Sequence, residues 1–133
     1  MKSGTLDMQT ISDALFVYAD IWNKNTLRFA SGLLTFDTGA TVTTISKDIL
    51  FNLGYNVVDG DVRRIATASG IEYVREVNID KMRLGKFVLP QVSVYAHTFP
   101  AEGFSTGVIG LNILSKFDIS MLFSKNLIEL VEI

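Results

Sequence analysis

The sequence predicts a mainly β fold arranged as one domain. Many short apolar runs are bounded by Gly, Asn, Asp and Pro turn signals. Only two segments carry a short helical pattern, and no strand–helix–strand rhythm runs through the chain. At 133 residues the chain matches one domain, long enough to bury roughly 68% of its unfolded surface in a core.

Met1 to Asp13 is polar and weakly patterned, an N-terminal arm open to being mobile; the domain proper is read as residues 14–133. Ala14 to Trp22 is apolar and β-prone, and Asn23-Lys24-Asn25 turns the chain. Thr26 to Phe36 reads as a second strand with a bulge or close backbone approach at Ser31-Gly32. Val42 to Ile45 is a short β-branched strand. Ser46 then offers an N-cap, Ile49, Leu50 and Leu53 supply a helical face, and Gly54 ends the helix. After the turn at Asp59-Gly60-Asp61, Arg63 to Ala68 and Ile71 to Ile79 form a hairpin around Ser69-Gly70. Met82 and Leu84 lead into a turn at Gly85-Lys86. Phe87 to Tyr95 follows as a strand whose Pro90 points to an edge or bulge. Thr98 to Thr106 is a loop, Leu111 to Leu114 a short helix, and Phe117 to Phe123 with Leu127 to Val131 a closing hairpin.

Composition narrows the function. There is no cysteine, so no disulfide framework or thiolate metal site, and a reducing compartment is permitted. The one histidine, His97, cannot build a multi-histidine metal site within a subunit. A net charge of −2 gives no basic field for nucleic acid. The first thirteen residues lack the apolar stretch of a signal peptide, and no apolar run approaches the ~20 residues that span a bilayer. The expectation is a cytoplasmic protein without membrane span or cofactor.

The chemistry-bearing segment is Phe36-Asp37-Thr38-Gly39-Ala40-Thr41, which follows the apolar run Leu33-Leu34-Thr35-Phe36. It puts a carboxylate in a tight turn at the end of a buried strand. Gly39 allows close backbone approach, and the Thr38 hydroxyl can be locked by hydrogen bonding. Taken alone, the tripeptide reads equally as an Asp in an Asx-turn.

The longer run from Leu33 to Ser46 resembles the catalytic loop of retroviral-type (retropepsin-like) aspartic proteases. Ala66-Thr67-Ala68-Ser69-Gly70 resembles that family's flap hairpin, and Met82-Arg83-Leu84-Gly85 with Val92-Ser93-Val94-Tyr95 the hairpin after it. Gly107-Val108-Ile109-Gly110-Leu111-Asn112-Ile113-Leu114 matches its signature of two hydrophobics and Gly before a helix, followed by Phe117-Asp118-Ile119. These landmarks occur in order between about Ala14 and Val131. The resemblance implies a closed β-barrel of the acid protease fold, with a flap hairpin and one or two short helices. It also implies catalytic Asp37, Thr38 and Gly39, and substrate contacts at Ala40, Thr67, Ala68, Ser69, Gly70, Val108 and Ile109. Two positions depart from the retroviral pattern. Thr41 stands where an acid is common and Leu111 where its Arg partner is common, so the subunit contact that pair supports is missing from both sides.

The implied activity is peptide hydrolysis, which needs two carboxylates sharing a proton. The chain has one Asp-Thr-Gly, so the second Asp37 would come from a second copy, with the site on a two-fold axis and an extended peptide bound beneath the flaps. Two readings compete with this one: an inactive peptide-binding or dimerisation module of the same fold, and an unrelated small-ligand β-barrel. The remaining candidates read as structural. His97 is structural or solvated, Trp22 packs at a strand end, and Arg63-Arg64 is a solvated charge pair that could meet an acidic peptide. Asp118 bonds local backbone or starts a strand.

Overall fold

The computed structural model describes residues 2–99 and 105–133. In chain order these hold β1 (Ser3–Asp7), β2 (Gln9–Ile11), β3 (Ala14–Asn23), β4 (Arg28–Phe36), β5 (Thr44–Ser46), α1 (Lys47–Asn52), β6 (Val62–Thr67) and β7 (Gly70–Leu84). Then come β8 (Phe87–His97), β9 (Gly107–Ile109), α2 (Leu111–Leu114), β10 (Phe117–Leu122), one 3-10 turn at Phe123–Lys125, and β11 (Leu127–Glu132).

The larger sheet runs β2-β3-β4-β9-β5-β8-β7-β6, and β3 also pairs with β7 through Asp20↔Arg83 and Ile21↔Met82. That extra pairing closes a ring through β3, β4, β9, β5, β8 and β7, so the sheet is a barrel. Alternate side chains fill it: Val17, Leu34, Ile45, Ile79, Met82, Val94 and Ile109 are all fully buried. Burial of each contributes about 1.5–3 kcal/mol. Leu50 from α1 and Ile113 from α2 complete this core. The hairpin that the resemblance marks as a flap is β6–β7, and its tip leaves the barrel. Pairing of β7 with β8 begins at Arg75↔Ala96, so Gly70 to Val74 pair with β6 alone.

The N-terminal arm is organised as strands. β1 pairs with β11, giving a second sheet in the order β1-β11-β10 that includes the C-terminal hairpin. Buried Leu6 and a Phe87–Phe117 ring contact at 4.9 Å dock this sheet on the barrel. Its pairing partners are more than a hundred positions away in the chain, which is why local patterning does not show it.

Other local expectations change in detail. The β3–β4 register runs unbroken from Phe16↔Thr35 to Asn23↔Arg28, so there is no bulge at Ser31-Gly32. The close approach there is real, because a Cβ on Gly32 would lie 3.1 Å from the Thr106 hydroxyl. Ser46 precedes α1 but makes no side-chain cap; its amide bonds the Thr106 carbonyl instead. Near Pro90 the β7–β8 register keeps its phase, and the local distortion falls on Gln91, at φ 51°. Trp22 packs edge-to-face on Phe29, with the Lys81 ammonium 3.9 Å from its ring centre. The expected Thr98–Thr106 loop lies partly outside the described residues.

Candidate active site

β4 delivers Asp37 at its C-terminal end, and β9 lies parallel beside it, with Thr35↔Val108 and Phe36↔Ile109 in register. The Asp37 amide donates to the Ile109 carbonyl at 3.1 Å, and its own carbonyl accepts from Ala40 N–H at 3.2 Å. Its carboxylate Oδ1 accepts from the Gly39 amide at 2.8 Å. The Asx-turn foreseen as the plain alternative is therefore present, and it is also the device that orients the carboxylate. Asp37, Thr38 and Gly39 are solvent-exposed in the single chain.

Behind the loop, α2 holds the next two residues. Leu111 N–H donates to the Ala40 carbonyl at 2.8 Å, and Asn112 N–H to the Thr41 carbonyl at 3.2 Å. Gly110 is required at this crossing, since a Cβ there would stand 2.7 Å from the Ala40 oxygen. Two residues that sequence reasoning missed lock the contact. Thr43 is fully buried, the one buried polar side chain among the described residues. Its amide and hydroxyl both donate to Asn112 Oδ1 at 2.8 Å, and the hydroxyl accepts from Gly110 N–H at 3.0 Å. Asn112 Nδ2 donates to the Ser93 carbonyl on β8 at 2.8 Å. Every side-chain polar atom of the pair has a partner, so the low-dielectric interior strengthens the network. The sequence signal was one amide inside the otherwise apolar Leu111-Asn112-Ile113-Leu114.

A cleft of about 480 Å³ opens beside this loop, with Ala40, Val42, Thr44, Ile65 and Tyr95 in its lining. Ala40 thus lines this cleft, and Tyr95 adds a phenol the sequence did not single out. Thr67 to Gly70 form the turn of the β6–β7 hairpin, closed by Thr67 Oγ1–H donating to the Gly70 carbonyl at 3.1 Å. They stand outside the cleft lining of the single chain. Val108 is half-buried. Ile109 corrects the expectation that both hydrophobics of the signature meet substrate: strand alternation turns it into the core with no exposed surface, and only its carbonyl serves the site. Arg63 is not a solvated partner of Arg64; it ion-pairs with Glu76 at 2.8 Å and Asp61 at 3.5 Å. Asp118 stands exposed in β10. Among the described residues no group of three or more His, Asp or Glu side chains could hold a metal ion, and no helix is long and apolar enough to cross a membrane.

An Asp-Thr-Gly at a strand end, backed by an apolar-apolar-Gly helix inside a closed barrel, defines an aspartic-protease-type fold. The family model described as "gag-polyprotein putative aspartyl protease" matches residues 31–116, and the chain belongs to that family. Among solved structures, a retropepsin-like aspartic protease from Rickettsia conorii superposes with a TM-score of 0.71 at 17% identity, covering 97% of this chain and 91% of that one. The retroviral protease-like domain of Ddi1 from Leishmania major gives 0.54 at 17% identity, covering 90% and 94%. Both establish a retropepsin-like fold. None of the curated proteins matches the sequence.

Proposed function

We propose that the protein is an aspartic endopeptidase acting as a homodimer, in which two Asp37 carboxylates, one per subunit, activate water for peptide hydrolysis. The observation that carries this reading is the Asp37 loop itself. An exposed carboxylate is held through Gly39, Ile109 and the Thr43–Asn112 lock, in a chain with no second Asp-Thr-Gly. Holding a charged group so firmly at the surface serves chemistry better than stability. Like charges a few ångströms apart share one proton, so one Asp37 acts as base and the other as acid. The dyad titrates as a unit.

In this arrangement exposed Thr38 braces the partner loop. Leu111, 40% exposed where the retroviral pattern carries Arg, offers apolar rather than ionic contact between subunits. Ala40 and Val108 contribute to the pockets, and the two flaps, with Thr67, Ala68, Ser69 and Gly70 at their tips, close over an extended peptide held as an added strand. Residues 14–133 form the protease domain, with the arm adding a strand to its terminal sheet. The cysteine-free composition fits the cytoplasm.

The alternative, an inactive peptide-binding or dimerisation module, draws on the charge pair missing at Thr41 and Leu111. Cleavage of a peptide library at about pH 4 to 7 by wild type and Asp37→Asn, with dimer content measured alongside, separates the two. The expected loss in the variant is about 10²- to 10⁴-fold. Equal cleavage by both proteins, or a protein monomeric under all conditions including saturating peptide, removes the dyad mechanism.

A further inference from the structure

The single histidine of the chain sits where the flap leaves the barrel. His97 ends β8 beside Ser46 of β5. Its Nε2 lies 3.0 Å from Oε2 of Glu72, which belongs to the flap segment of β7. Backbone pairing between β7 and β8 has already stopped at Arg75↔Ala96, so this side-chain contact ties the free part of the hairpin to the body. That Glu72 oxygen is shielded from solvent and accepts no aligned hydrogen bond among the described residues. The imidazole is the group at hand to compensate it. Phe99 packs edge-to-face on His97 at 5.6 Å and keeps the ring in place.

We infer that Glu72 and His97 are positioning residues that set flap closure, holding the flap over the site while the imidazole is protonated and releasing it when the imidazole is neutral. The physical cause is the shielded carboxylate oxygen. With imidazolium beside it the charge is paired; with neutral imidazole it is left poorly compensated, and the flap segment gains by moving Glu72 into water. Histidine is the side chain whose charge ordinarily changes between about pH 5 and 8, which sets the interval to test. Among the described residues the nearby charges are these. Arg63 and Glu76 on the neighbouring strands are bonded to each other at 2.8 Å. Arg75 donates to the Gly60 carbonyl at 2.9 Å. Lys47 and Arg75 line the adjoining cleft with His97, and Tyr95 lies two residues before it on β8.

The role in catalysis rests on the protease reading, and two measurements keep the two apart. The first needs no activity: amide hydrogen exchange of the flap (residues 64–73) in the full chain at about pH 5.5 and 8.0, corrected for intrinsic rates. Wild-type protection should fall two- to tenfold between the two pH values. In Glu72→Gln and His97→Gln it should be low and flat, and in His97→Lys, which keeps its charge, high and flat. Wild-type protection that is equal at both pH values, or that falls equally in Glu72→Gln, overturns the inference. The second is the kinetic split. KM should rise two- to tenfold across the same interval in wild type and not in His97→Lys, with kcat following the Asp37 dyad in all variants. A KM rise unaltered by His97→Lys likewise overturns it. Absence of Asp37-dependent cleavage removes the protease reading while leaving the exchange result standing.

Discussion

The Asp37 loop and the β6–β7 hairpin border the same cleft, through Ala40 and Ile65, but the loop and the hairpin's tip are built in opposite ways. In the loop, Asp37, Ala40, Thr41 and Thr43 each have backbone groups bonded to β8, β9 or α2, and the Thr43 hydroxyl reaches Asn112 at no solvent exposure. In the flap, Ala68 to Ile71 are exposed, and the turn is closed by its own bonds, Thr67 Oγ1–H to the Gly70 carbonyl and Ser69 N–H to Thr67 Oγ1. On the proposed protease reading, the difference follows from what each part would have to do. A proton-transferring carboxylate loses rate when misplaced by an ångström. A lid that admits peptide must open at low cost, and low local packing supplies that.

The largest way to sharpen the contrast is Asp37→Asn, since the amide keeps the Asx-turn acceptor while removing the charge. Activity should fall by the 10²- to 10⁴-fold given above, with stability changed by less than about 0.5 kcal/mol. Asn112→Ala comes next. It strips partners from the Thr43 amide, the Thr43 hydroxyl and the Ser93 carbonyl. Each buried group left unpaired costs about 1–3 kcal/mol, with overlap between them. Urea unfolding should report a loss of about 3 kcal/mol, accompanied by lower kcat. A loss under 1 kcal/mol would mean the loop is no more tightly held than the flap.

Tyr55 gives a middle case, pinned at a distance from the chemistry. Its hydroxyl donates to the Trp22 carbonyl at 2.6 Å and accepts from Asp80 N–H at 3.3 Å. Burial raises its phenol above the ordinary 10.0, and the Asp80 charge pushes the same way against the lowering by the Asp80 amide. The unfolded chain therefore loses this proton first. The stability it contributes is complete below pH 10 and is lost as pH climbs from there toward the folded value. Tyr55→Phe should cost about 1–2 kcal/mol at neutral pH and flatten the fall above pH 10, as followed by urea midpoints at a series of alkaline pH values.

How much of this was readable in the sequence divides along the same line. Most barrel strands, both helices and the Asp37 turn are local patterns of apolar spacing and turn residues and lie within a few residues of their expected places, whereas the three-residue β9 was not foreseen as a strand. The arm's strand and the ring-closing β3–β7 contact depend on partners far along the chain, which no local period encodes. In the loop, Asp37, Gly39 and Ala40 were legible because they stand together in one short local motif. Thr43 and Asn112 were not, because a threonine among β-branched neighbours and one amide in an apolar helix become informative only when they meet. Ile109 was misassigned because a run of two hydrophobics does not say which one faces inward.

Gly70→Ala is the smallest effect and tests the flap side directly. Gly70 has φ +122°, and a Cβ there would meet nothing within 4 Å, so the cost is backbone strain alone, about 1 kcal/mol. In a tip bonded chiefly to itself, that strain can be relieved by local rearrangement without disturbing the barrel. The global unfolding free energy should then change by less than about 0.5 kcal/mol, while kcat/KM falls two- to fivefold because the closed flap has to restore the strained turn. The two readouts together decide the point. Full strain appearing in global stability, with kcat/KM unchanged, would show a tip integrated into the fold as firmly as the Asp37 loop, and the contrast between the two sides of the cleft would fail.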